Sequence, residues 1–180
     1  MNTIENDPNF LESYNVVICG NGNGGGKYST LNYIFFDLLT KFRDNGGSVL
    51  FLHDFNIGEW KDKNGNPYDI LKNDLGYKGL ASVQWQLYKK CRFHPEKCGD
   101  LMKIPYKLDQ NQVFDITETH ETPSYSDEYK FIESSEYPIF HYYSENSKKR
   151  VADCSMGHNS NLSLFEKKLL FNIIYHLSQL

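Results

Sequence analysis

Residues 14–54 read YNVVICGNGNGGGKYSTLNYIFFDLLTKFRDNGGSVLFLHD, and the architecture is written here first. Val16-Val17-Ile18-Cys19 is a continuous apolar run that stops at Gly20. That is the pattern of a strand buried on both faces, the usual state in a parallel sheet. After a glycine- and asparagine-rich loop from Gly20 to Lys27, Ser29 or Thr30 offers an N-cap oxygen. Leu31, Ile34, Phe35, Leu38, Leu39 and Phe42 then recur at helical spacing and place one apolar stripe on one face. Asn45-Gly46-Gly47 closes the helix, because glycine adopts the left-handed conformation at C′ without a Cβ penalty. Ser48 to Leu52 reads as a second buried strand. Strand, capped helix and strand in this order make a βαβ unit, with parallel strands and a right-handed crossover.

The same signals recur at the other end. Ser163-Leu164-Phe165-Glu166 is a capping box. Phe165, Leu169, Leu170, Ile173, Ile174 and Leu177 then form an apolar stripe. Between the two ends, Val113–Thr119, Pro138–Tyr143 and Arg150–Met156 read as strands, and Gln84–Tyr88 as a short strand or helix. Residues 57–80, rich in Gly, Asn, Asp and Lys, read as a long excursion of the functional kind. Alternating strands and helices predict an α/β fold over residues 1–180, one domain built as a three-layer α/β/α sandwich on a mostly parallel sheet.

Composition narrows the function classes. The 180-residue chain is 39% hydrophobic and 15% aromatic, too apolar for a disordered protein. Its net charge of −4 comes without a basic face, since Lys148-Lys149-Arg150 and Lys167-Lys168 read as solvated charge; nucleic acid is not an expected partner. No apolar run is long enough to span a bilayer. Met1 to Phe10 lacks the basic and apolar regions of a signal peptide. Cys19 and Cys154 lie in apolar strand patterns, and Cys91 and Cys98 match no common zinc spacing. The expected setting is the reducing cytoplasm, with no membrane association.

Three groups could carry chemistry. The loop after the first strand approaches a phosphate-binding pattern but fails it. Asn21 stands where the first glycine is required, and Tyr28 where a Ser or Thr would meet magnesium. Its backbone amides could still hold an anion at the helix start, and Asn21 is counted as a binding residue. Histidines form the second group: His53-Asp54, His120-Glu121 and Gly157-His158 each follow an apparent strand. Ligands of open α/β sheets bind beyond the carboxyl ends of strands, and imidazole moves protons near neutral pH. His94, before Pro95, is a fourth such residue, while His141 and His176 read as structural. No HxH or HExxH spacing supports a metal, and no cofactor is implied. The third group would be a nucleophile, and the turn after Leu52 holds neither Cys nor Ser.

The order of these motifs resembles the trehalose-utilisation, ThuA-like branch of the class I glutamine-amidotransferase-like superfamily. The resemblance rests on Tyr14-Asn15-Val16-Val17-Ile18, on Gly46-Gly47-Ser48-Val49-Leu50-Phe51-Leu52-His53, on His94-Pro95 and on Thr119-His120-Glu121. It continues through Asp127-Glu128-Tyr129 and the closing run Arg150-Val151-Ala152-Asp153-Cys154-Ser155-Met156-Gly157-His158. It spans roughly residues 9 to 178. It implies a flavodoxin-like sandwich, a pocket near His53, His120 and His158, and a tie to carbohydrate metabolism. Members open with one more strand–helix unit than is written here, so that unit is expected to be lacking. Ser147-Lys148-Lys149 replaces the family's Gly-Lys-Gly. An amidotransferase is excluded by the missing nucleophile.

Two functions compete. In the first, a sugar-like polar ligand meets His53, His120 and His158 as acid–base or hydrogen-bonding groups, with Asp54, Glu121 and Glu128 binding hydroxyls. Trp60, Tyr125 and Tyr129 would stack on its ring. In the second, the domain is a non-catalytic interaction module that forms a homo-oligomer or is completed by a partner chain. Whether a reaction is catalysed stays open at this level.

Overall fold

The computed structural model describes residues 9–20, 32–52, 64, 70–81, 90–115, 122–134, 140–146, 149–154 and 161–179. The expected βαβ unit is present: β1 (Val16–Cys19), α1 (Asn32–Asp44) and β2 (Ser48–Phe51), with β1 and β2 paired in parallel. The predicted glycine stop takes the form of a Schellman motif. Gly47 N donates to Phe42 O at 3.0 Å and Gly46 N to Arg43 O at 2.9 Å, with Gly46 at φ 97°.

Further strands are β3 (Gly79–Ala81), β4 (Lys90–Phe93), β5 (Phe114–Asp115), β6 (Thr122–Ser124), β7 (Lys130–Ser134), β8 (Phe140–Asn146) and β9 (Lys149–Asp153). A short helix, α2 (Pro95–Cys98), follows β4, and α3 (Leu164–Ser178) closes the chain. The main sheet has seven strands in the order β1-β2-β9-β8-β7-β4-β5, and β3 and β6 form a separate antiparallel pair.

The expectation of a mostly parallel sheet needs correction. The ladders β1–β2 and β2–β9 are parallel, but β9–β8, β8–β7, β7–β4 and β4–β5 are antiparallel. For β7–β8 and β8–β9, connection length is the reason. A parallel neighbour needs a crossover of about a dozen residues or more. The passage from Asn146 to Lys149 is far shorter, and those two residues pair.

A second correction concerns β1. Among the described residues it lies at the end of the strand order, with Val16 and Val17 half-buried and Ile18 46% exposed, so of its four residues Cys19 alone is buried. The apolar run predicted a strand but not its position in the sheet.

Side chains alternate faces along β2 and β9. Val49, Phe51 and Val151 pack with Phe36, Leu39 and Phe42 of α1. Leu50 and Ala152 pack with Leu169, Ile173 and Leu177 of α3. The two helices therefore bury their stripes against opposite faces of these strands. Phe36, outside the predicted stripe, is fully buried and stacks on Phe51 at 6.3 Å. The buried face of α1 is wider than the spacing suggested because Leu75 and Tyr125 also pack into this cluster.

Part of the long excursion is ordered into this packing. A π-helical turn, Ile70–Asp74, is tied to α1 by the Arg43–Asp74 ion pair. Residues 75–78 then bind the segment around β6: Ser126 N donates to Leu75 O at 2.9 Å and Lys78 N to Ser124 O at 2.7 Å. The predicted element at Gln84–Tyr88 lies outside the described residues. Of Val113–Thr119, the described part contains β5.

Candidate functional site

The carboxyl edge of the parallel strands is set by pairing. Cys19 pairs with Phe51, Phe51 with Asp153, Asp153 with Tyr142 and Tyr142 with Lys130. These residues form one row across β1, β2, β9, β8 and β7. From Leu52 the chain runs to His53-Asp54, and from Cys154 toward Gly157-His158. His53, Asp54, Asn21, Trp60, His120, Glu121 and His158 lie outside the described residues.

A buried polar contact sits on this row. Tyr125 Oη donates to Asp153 Oδ2 at 2.6 Å, with Tyr125 1% and Asp153 4% exposed. Tyr125 therefore has no ring face to offer a ligand, contrary to the expectation that it stacks on a sugar. Nothing in the spacing of Tyr125 and Asp153 signals this pair, because the contact spans unconnected elements. Tyr129 is half-buried, and burial together with the nearby Glu128 charge raises its hydroxyl pKa. Glu128 is exposed and accepts from Ser126 Oγ at 3.2 Å.

Farther along the same level, two of the motifs meet. His94 N donates to Phe131 O at 2.9 Å, which fixes the start of α2 against β7. His94 Nδ1 lies 3.5 Å from Glu96 Oε1, and its Nε2 lies 3.3 Å from Glu133 Oε2. Lys97 Nζ donates to Asp127 O, and Lys130 Nζ lies 2.8 Å from Asp127 Oδ1. Hydrogen bonding and charge from Lys130, then the charge of Lys78, hold the Asp127 carboxyl below its ordinary pKa. His94-Pro95 and Asp127-Glu128-Tyr129 are thus neighbours in space.

His94 faces a carboxylate at each nitrogen. Among the described residues no group of three or more His, Cys, Asp or Glu side chains could hold a metal ion. Clefts of about 210 Å³ beside Leu11 and Phe42, and of about 550 Å³ beside Met102 and Leu108, lie away from the carboxyl edge.

The described thiols are poor nucleophiles. Cys19, Cys91 and Cys154 are buried. Burial drives the Cys19 pKa far up, and burial plus the Asp153 charge does the same to Cys154. No helix among the described residues is long and apolar enough to cross a membrane.

No family model matches the chain, and no curated protein matches it. Solved structures do. A Bacteroides uniformis protein described as ThuA-like superposes with a TM-score of 0.63 at 16% identity, over 96% of this chain and 73% of that one. A cytoplasmic protein of Salmonella typhimurium gives 0.61 at 11%, over 94% and 74%. A β-galactosidase from Rahnella gives 0.56 at 8%, over 93% of this chain but 23% of the enzyme. At such identities the likeness is one of fold, a mixed α/β domain similar to that of the ThuA-like protein.

Proposed function

We propose that this ThuA-like domain binds a carbohydrate-like polar small molecule, and can act on it, at the carboxyl edge of β1, β2 and β9. In this reading the whole domain is a three-layer α/β/α sandwich working in the cytoplasm. His53, His120 and His158 are its acid–base or hydrogen-bonding groups. Asp54, Glu121, Glu128 and Asn21 bind hydroxyls, and Trp60 supplies a ring face.

One observation carries the proposal. Phe51 pairs with Asp153, so β2 and β9 end side by side, in parallel, and the chain leaves those ends for His53-Asp54 and for Gly157-His158. Carboxyl ends of parallel strands are where such sheets receive ligands. An imidazole beside a carboxylate can take or release a proton near neutral pH. Thiolate chemistry is not part of the proposal, since His53 stands at the nucleophile position and Cys19 and Cys154 are buried with raised pKa values.

Thermal unfolding against galactose, glucose, sugar acids and sugar phosphates tests it. The fold shared with a β-galactosidase puts galactosides on that panel. A ligand at 100 times its Kd stabilises by about 2.7 kcal/mol, a readily measured rise in Tm. We expect a saturable rise that His53→Ala and His158→Ala each abolish. A rise that survives both substitutions would place the site elsewhere.

The edge position of β1, with Ile18 exposed, favours the second reading of an interaction module. There the panel gives no rise, light scattering finds a complex, and Ile18→Lys disperses it.

A further inference from the structure

We infer that Tyr125 and Asp153 are a positioning pair, a latch that holds the 122–129 segment to the carboxyl end of β9. The inference rests on the site proposed above and adds to it the contact that sets its geometry. Asp153 is the last residue of β9, beyond which the chain runs to Gly157-His158. Tyr125 stands between His120-Glu121 and Glu128. Their 2.6 Å hydrogen bond therefore joins the two stretches that carry most of the proposed polar groups, at the row where β2 also ends.

The other contacts of the segment point elsewhere. Ser126 N and Ser124 O bind residues 75 and 78, and Asp127 binds Lys78, Lys97 and Lys130. The buried Tyr125 ring, in one cluster with Phe51 and Val151, and its phenol–carboxylate bond tie it to the parallel strands. Both partners are buried, so water competes little for the bond.

Hydrogen–deuterium exchange on the full chain tests the latch without a ligand. Tyr125→Phe keeps the ring and removes only the hydroxyl. Exchange of amides 122–129 should quicken about tenfold while 164–178 keep the wild-type rate. Asp153→Asn retains an acceptor oxygen and should keep exchange near wild type, the rescue that a role for charge alone would not give. Unchanged exchange in Tyr125→Phe, or equal quickening in 164–178, overturns the latch. Galactose binding supplies the second arm. If wild type binds, Tyr125→Phe should weaken Kd at least about tenfold and Asp153→Asn should hold it; an unaltered Kd in Tyr125→Phe overturns the positioning role. If wild type does not bind galactose, exchange alone decides the latch, and the wider panel decides the site proposal.

Discussion

Single buried polar residues do much of the structural work here, and they were the least legible in the sequence. Asn172 sits on the apolar side of α3 and is fully buried. Its Nδ2 donates to Leu101 O and Tyr106 O, each at 2.7 Å, and its Oδ1 accepts from Tyr106 N at 2.9 Å. One side chain thus satisfies three backbone groups of the 101–106 loop. Asn172→Leu should cost about 3 kcal/mol in urea unfolding, because the loop loses those partners inside the fold. In the sequence Asn172 only interrupts an apolar stripe; the carbonyls it serves lie far away in the chain. Cys19 and Cys154 were easier, since an apolar strand pattern announces a buried thiol, whereas Cys91 gave no such signal. Cys19, Cys91 and Cys154 should resist a thiol reagent in the native chain and react once denatured, as followed by mass spectrometry.

Elements with a local signal were read well, and those defined by a distant partner were not. The capping box of α3 is formed, with Glu166 N donating to Ser163 Oγ at 3.1 Å and Ser163 N to Glu166 Oε2 at 2.8 Å. Ser163→Ala should cost about 1 kcal/mol in chemical unfolding. At the other end of α3, Arg150 Nη1 donates to the His176 and Gln179 carbonyls and meets the negative end of the helix dipole. At the end of α1, a Cβ on Gly47 would fall 2.3 Å from the Phe42 ring. Gly47→Ala should destabilise by about 1–3 kcal/mol, since that ring is held between helix and sheet. By contrast β7 carries charged residues and no clean alternation. Its two adjacent buried residues, Phe131 and Ile132, go with the register shift between Lys130 and Ile132, which leaves no local mark. β4 does alternate, exposed-buried-exposed-buried over Lys90–Phe93, but over four residues only.

On the scale of the whole molecule, the sheet is two architectures joined at β9. One half is the parallel β1-β2-β9 unit with a helix on each side, and the other is an antiparallel run through β8, β7, β4 and β5. The parallel half was legible because βαβ units have strong local grammar. The antiparallel half was not, because hairpin pairing depends on connection length and register rather than on apolar runs. The same division runs through the proposed site. The strand-end histidines are an expectation from chain order alone, whereas Tyr125–Asp153 and the meeting of His94-Pro95 with Asp127-Glu128-Tyr129 emerge only from folding. The chain holds six histidines, and their imidazole resonances can be followed one by one in an NMR titration with galactose, each assigned by substitution. The proposed site predicts that His53, His120 and His158 shift together on one saturating curve while His94, His141 and His176 stay put. Shifts confined to the second set, or three unrelated curves in the first, would contradict a shared pocket at the carboxyl edge.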